Sequence, residues 1–153
     1  MLSKGDKAPE FTLPDDDGNT VSLTSLLSNG PLVLYFYPAD FTPGCTKEAC
    51  DIRDMHDDIS DVGLQVVGVS PQGSESHARF RDKHNLPFKL LDDSSKEVIR
   101  AYGVNGPLGF GVRRATFLIS KEGMIEDVVL ADLMVGRHGD FIRDAVASMT
   151  ENN

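Results

Sequence analysis

Residues 32–50 read LVLYFYPADFTPGCTKEAC, an unbroken apolar run that ends in a proline-punctuated loop carrying both cysteines of the chain. Leu32 to Tyr37 shows no polar alternation, which predicts a strand buried on both faces, the usual state of a central strand in an α/β sheet. Pro38 stops it. Thr42 suits the N-cap of a following helix and Pro43 its first position, where the missing N–H costs nothing, so Cys45 falls in the first turn. The free N–H groups and positive end of a helix stabilise an anion, and Cys45 is expected to be substantially thiolate near neutral pH. Two small residues packed along a helix would be the plain alternative, but Cys45 sits at the carboxyl end of a buried strand, where α/β sheets hold their ligands.

Working outward, Leu64–Ser70 predicts a second strand, and the apolar spacing of Ala49, Ile52, Met55, Ile59 and Val62 predicts one amphipathic helix from Thr42 to Val62, closed by Gly63. Ser74–Asn85 reads as a helix with Ala78 and Phe80 inward, Pro87–Leu91 as a short strand, and Ser95–Tyr102 as a short helix stopped by Gly103. Residues 114–120 and 124–130 form a hairpin across Lys121-Glu122-Gly123, and Asp140–Met149 is a closing amphipathic helix. Before the central strand, residues 9–22 suggest an amino-terminal hairpin and Leu23–Leu27 a short helix. The acidic Asp15-Asp16-Asp17 lacks the spacing of a calcium loop and reads as a solvated turn. In the loop 104–112, Leu108 and Phe110 either cover the site or a partner surface, or tuck into the core. The order β-α-β-α then β-β-α predicts an α/β, thioredoxin-like fold: a central mixed sheet flanked by helices, with the hairpin at its end.

At 153 residues and 40% hydrophobic content the chain suits a single domain over 1–153 without disulfide staples. Its formal charge of −9 repels phosphate backbones and anionic membrane surfaces, so neither nucleic acid nor membrane is an expected partner. The amino terminus lacks the apolar core of a signal peptide and no run reaches the ~18 apolar residues of a membrane span, so a cytoplasmic location is expected. Two cysteines in a reducing compartment are more often catalytic or metal-binding than structural. Zinc normally wants about four ligands, and only His56 lies near the pair in sequence.

The loop resembles the peroxiredoxin active-site pattern P-x-x-x-T-x-x-C, matched by Pro38, Thr42 and Cys45. With a second cysteine five residues on, TPGCTKEAC is most similar to the bacterioferritin-comigratory-protein, or PrxQ, branch of that family, and R-A-T-F at 114–117 is similar to the R-[ST]-T-F of the same branch. The resemblance implies a thiol-dependent peroxidase acting on hydrogen peroxide and organic hydroperoxides. Cys45 would be the peroxidatic thiol and become a sulfenic acid, and Cys50 would resolve it as an intramolecular disulfide. Thioredoxin or a glutaredoxin-like dithiol would recycle the pair, with no metal, haem or flavin cofactor. A monomer, or at most a weak dimer, is the family-level expectation.

The resemblance also implies that Arg114 faces the thiolate, that Glu48, one turn beyond Cys45, orients this arginine by a charged hydrogen bond, and that Pro38 shields the sulphur from water. Strand alternation puts Arg113 on the opposite face, as a solvated or ion-paired residue. The Thr42 hydroxyl is expected both to cap the helix and to bond the thiolate or a peroxide oxygen, while the Gly44 and Cys45 N–H groups face the substrate and Gly44 permits close approach. Tyr37 is either pocket wall or strand core. Two rival readings remain: a disulfide reductase, whose C-x-x-C motif has two intervening residues where this chain has four, and a redox sensor or holdase whose disulfide regulates binding.

Overall fold

The computed structural model describes residues 1–107 and 111–151. Its centre is the strand β3 (Leu32–Phe36), every residue of which is buried. β3 pairs in parallel with β4 (Gln65–Ser70) and antiparallel with β6 (Ala115–Ile119). β5 (Lys89–Asp92) lies parallel outside β4 and β7 (Ile125–Leu130) antiparallel outside β6, giving the order β5-β4-β3-β6-β7. β3 is thus the seam between parallel and antiparallel halves. This is the thioredoxin-like mixed sheet that the sequence predicts.

Alternation along β3 explains the two cores. Leu32, Leu34 and Phe36 join Phe117, Ile119, Ile99 and Tyr102 on one face, whereas Val33, Tyr35 and Tyr37 join Cys45, Ala49, Ile52 and Phe80 on the other. A strand feeding two apolar layers has no polar face to show, hence the unbroken run. The first face is covered by α1 (Leu23–Leu27) and α5 (Glu97–Ala101), whose buried residues belong to that core. The second is covered by α2 (Pro43–Asp54), α3 (His56–Asp61), α4 (Ser74–His84) and α6 (Gly136–Glu151). Among the described residues no helix is long and apolar enough to cross a membrane.

Three expectations need correction. The predicted single helix over 42–62 is two, because Met55 at φ −107°, ψ 9° leaves the α region and its N–H turns back to the Ile52 carbonyl at 3.2 Å. Apolar spacing persists across the break, since the two pieces bury Ile52 and Ile59 in one core. In α4 the inward residues are His77 and Phe80, while Ala78 is only half-buried. Nor is the acidic turn simply solvated. β1 (Thr12–Pro14) and β2 (Thr20–Ser22) form the expected hairpin, and Asp15 at its tip is fully buried, accepting from the Asp17 and Asn19 N–H groups at 2.9 Å and facing Lys89 Nζ at 3.3 Å. Arg81 Nη1 bonds both Asp16 oxygens at 3.1 Å. These carboxylates fasten the hairpin to β5 and α4. The expectation for Leu108 and Phe110 lies outside the described residues.

Candidate active site

Phe36 ends β3, and the loop to α2 makes a tight turn in which Phe41 adopts φ 65°, a left-handed backbone rare for a bulky residue. Tertiary contact accounts for it: the ring packs edge-on against Phe80 at 5.2 Å and lies under Lys83 Nζ at 5.8 Å. Asp40 anchors the same turn. Its carboxylate accepts from Tyr37 Oη at 2.7 Å and Ser76 Oγ at 2.7 Å and pairs with His77 Nδ1 at 2.8 Å, while His77 Nε2 meets the Leu91 carbonyl at 3.0 Å. Burial by itself would push the Asp40 carboxyl up, but the bonds from His77, Tyr37 and Ser76 outweigh it and hold the group below its usual range. Tyr37 is therefore a core residue that ties the loop to α4, and burial first, then the Tyr35 phenol and Asp40 beside it, raise its hydroxyl well above the ordinary phenol.

Thr42 is the N-cap of α2 by backbone conformation, but its hydroxyl donates to the Ala39 carbonyl at 3.0 Å and makes no cap to the helix. The expected capping bond is replaced by one that closes the preceding turn. Pro38 is half-buried in this loop, and Pro43 occupies the start of the helix. Cys45 follows in the first turn, 1% exposed, as a free thiol.

Arg114, just ahead of β6, reaches it. Nη1 donates to Cys45 Sγ at 2.9 Å, and the same nitrogen lies 3.6 Å from Glu48 Oε1. Nε donates to the Asp132 carbonyl at 3.2 Å and the main-chain N–H to Asp132 Oδ1 at 2.9 Å, so the loop after β7 aims the guanidinium. A Cβ on Gly44 would stand 2.8 Å from Arg114 Nη2, so only glycine leaves room for the guanidinium over the helix end. Arg113 points away and pairs with Asp132 Oδ2 at 2.7 Å, at the surface.

Glu48 is 2% exposed. At 3.6 Å its contact with Arg114 is an ion-pair distance, and the expected charged hydrogen bond is not made: neither carboxyl oxygen has a hydrogen-bond partner among the described residues. Burial pushes its pKa to about 8, opposed by Arg114 and reinforced slightly by Asp51. On its other side stands His138 of α6, fully buried, with Nδ1 3.6 Å from Glu48 Oε2. The ring is pinned by Thr116 Oγ1 on Nδ1 at 2.8 Å and by the Ala131 carbonyl on Nε2 at 2.9 Å. Burial lowers the imidazole below its usual value, against the pull of the Ala131 bond and with help from Arg114. Because alternate residues of a strand share a face, the one β6 register that brings Arg114 to Cys45 also brings Thr116 to His138.

Cys50 is half-buried on α2 and also free, with Sγ 3.8 Å from His84 Nδ1 at the end of α4. His56, the histidine nearest the cysteines in sequence, faces Ser60 instead. On a regular helix positions 45 and 50 lie with Cα atoms ~8.7 Å apart, beyond the ~6.8 Å that a disulfide spans. Sequence reading missed Asp40, His77, Asp132 and His138. A lone buried histidine leaves no periodic signal, whereas Thr116 lies inside the R-A-T-F stretch that drew attention to Arg114.

Residues 4–128 match the AhpC/TSA family. Over 130 residues the chain is 48% identical to a putative peroxiredoxin of Mycobacterium tuberculosis, covering 81% of this chain and 82% of that protein. It is 45% identical over 127 residues to peroxiredoxin Bcp of Bacillus subtilis, covering 79% and 80%. The fold superposes on the crystal structure of peroxidoxin BcpB from Mycobacterium tuberculosis with a TM-score of 0.90 at 36% identity, over 97% of this chain and 98% of that one.

Proposed function

The chain belongs to the AhpC/TSA family as a peroxiredoxin of the Bcp/PrxQ kind, and on that premise we propose that Cys45 is the thiol that attacks the hydroperoxide and Cys50 the one that resolves it. The protein is a thiol-dependent peroxidase. One observation carries the assignment of residues: Arg114 Nη1 lies 2.9 Å from Cys45 Sγ at the amino end of a helix, so fixed positive charge meets the sulphur where the thiolate forms.

The thiolate attacks the terminal peroxide oxygen, the O–O pair leaves on the distal oxygen, and Cys45 becomes a sulfenic acid. Arg114 and the N–H groups at the start of α2 stabilise the charge passing from sulphur to leaving oxygen. Thr42 and Gly44 line this end of the helix and Pro38 the loop beside it. Cys50 then condenses with the sulfenic acid, releasing water, and thioredoxin or a glutaredoxin-like dithiol reduces the disulfide. We take the protein to act in the cytoplasm as a monomer, which sedimentation in both redox states tests.

Cys45→Ser abolishes turnover, whereas Cys50→Ser reacts once and accumulates sulfenic, then sulfinic, acid at Cys45. Mass spectrometry after one equivalent of peroxide reads the site directly. Oxidation of Cys50 first in the unmodified protein reverses the roles.

A further inference from the structure

The second thiol has to attack as a thiolate too, since a protonated thiol is a poor nucleophile toward another sulphur. Cys45 has Arg114 and a helix end to favour that form, whereas Cys50 lies inside α2 and touches neither. What it has is His84. Cys50 Sγ makes a sulphur hydrogen-bond contact of 3.8 Å with Nδ1 of that ring, across from the end of α4. Of the four histidines in the chain, His77 and His138 have both ring nitrogens engaged, and His56 faces Ser60. Among the described residues the sulphur is the one partner of His84 Nδ1. Two further contacts hold the pair in place. The His84 ring packs edge-on against the fully buried Phe80 at 5.2 Å, and Arg53, one turn beyond Cys50, donates from Nη1 to the His84 carbonyl at 2.8 Å. Arg53 and Tyr35 are within electrostatic reach of Cys50, Asp54 is taken up by Arg53 Nε at 3.0 Å, and Lys83 turns to the Phe41 ring. No carboxylate bonds the sulphur among the described residues, so the imidazole is the proton acceptor beside it.

We propose that His84 is the general base of the resolving step, taking the Cys50 proton so that a thiolate meets the Cys45 sulfenic acid. The inference rests on Cys50 being the resolving thiol. With the thiol donating, the ring carries its own hydrogen on Nε2 and accepts on Nδ1. The Cys50 S–H proton passes directly to Nδ1, leaving imidazolium beside thiolate. The Cys50 lone pair then forms the S–S bond as the S–O bond of the sulfenic acid breaks, and the departing hydroxide takes a proton from solvent to become water. The half-buried imidazolium gives its extra proton back to solvent, so sulfenic acid and thiol become disulfide and water. Cys50 sulphur is oxidised by one electron and Cys45 sulphur reduced by one, with no outside oxidant. Opening of the helix keeps the base in reach. The loop ahead of α2 is anchored through Asp40 and the stretch beyond Cys50 through Arg53, both to α4. Closing the Cα atoms from ~8.7 Å to the ~6.8 Å of a disulfide therefore asks for rewinding between two anchors, not for carrying Cys50 away from His84.

The test separates the two sulphur steps by rapid quench with a sulfenic-acid trap and mass spectrometry after one equivalent of hydrogen peroxide. In His84→Ala the rate of Cys45 oxidation stays as it is, while conversion of sulfenic acid to disulfide slows by about tenfold to a hundredfold. The longer-lived sulfenic acid then yields more sulfinic acid when peroxide is in excess. Added imidazole, filling the space left by the ring, restores the resolving rate in His84→Ala and leaves the unmodified protein unchanged. His84→Asn keeps a polar atom near the place of Nδ1 but cannot carry the proton away, and it resolves as slowly as the alanine variant. Should His84→Ala fail to fold by circular dichroism, the split between the two steps is read in His84→Asn. An undiminished resolving rate in either variant overturns the proposal. So does an equal slowing of oxidation and resolution, or a slow resolving step that imidazole does not restore, since each marks the ring as a packing element only. Full turnover with a dithiol reductant in Cys50→Ser would instead remove the premise, and the proposal with it.

Discussion

Arg114 is held from four directions, by Asp132, by the helix end at Gly44, by Glu48 and by the sulphur itself, so small displacements should register in rate. Gly44→Ala sets a methyl 2.8 Å from Nη2 and must push the guanidinium aside. A shift of that size should slow peroxide reduction by about tenfold to a hundredfold while leaving the urea midpoint nearly unchanged. An equal rate would mean that the guanidinium has room to spare. Arg114→Ala removes the charge altogether, and the rate constant should drop by about a hundredfold to a thousandfold. Arg113→Ala should leave it unaltered, because that side chain spends its charge on Asp132 at the surface.

At the scale of elements, α2 must open for Cys50 to reach Cys45, since the helix spans both positions without interruption. Amides from Gly44 to about Arg53 should resist hydrogen exchange in the reduced protein and lose protection in the disulfide form, while β3 and β4 stay protected in both. Equal protection in the two states would discard the unwinding. The loop ahead of α2 stays put because Asp40 is clamped to His77 and Ser76 of α4. Asp40→Asn breaks a buried pair and should cost about 3–5 kcal/mol in chemical denaturation. The Asp40 carboxyl is held low, so its stabilisation is complete at neutral pH and is lost as pH falls below about 4 toward the folded value. Acid should therefore narrow the stability gap between the native chain and the Asp40→Asn variant. Most of these elements were legible from apolar periodicity and glycine stops. What escaped was the break at Met55, which spares the apolar spacing, and the buried polar contacts of Asp40, His77 and Asp15, which depend on partners remote in the chain.

For the molecule as a whole, the candidate site is legible where one short loop gathers its residues, at Cys45, Thr42, Gly44 and Cys50, although the Thr42 hydroxyl turns back to the Ala39 carbonyl. It faded with distance: Arg114 came through its resemblance to a motif, and His138 not at all. The hairpin illustrates the same limit, for three consecutive aspartates look like solvent-facing charge until β5 and α4 are packed beside them. Asp15→Ala removes the acceptor for two turn N–H groups and should lower stability by about 1–3 kcal/mol, read from urea unfolding. Its peroxide rate should be unchanged, since Asp15 itself touches none of the groups around Cys45. A parallel loss of rate would mean that the hairpin braces the site.

The pairing of β3 with β6 has a consequence for the protein while it is being made. Cys45 leaves the ribosome well before Arg114, and the helix bearing His138 comes later still, at translation rates of about 5–20 residues per second. For several seconds the nascent chain therefore carries its sulphur with neither the arginine nor the closing helix that complete the pocket. Reactivity is switched on by the arrival of the carboxyl-terminal third, and a truncated translation product would bear the cysteine without the enzyme.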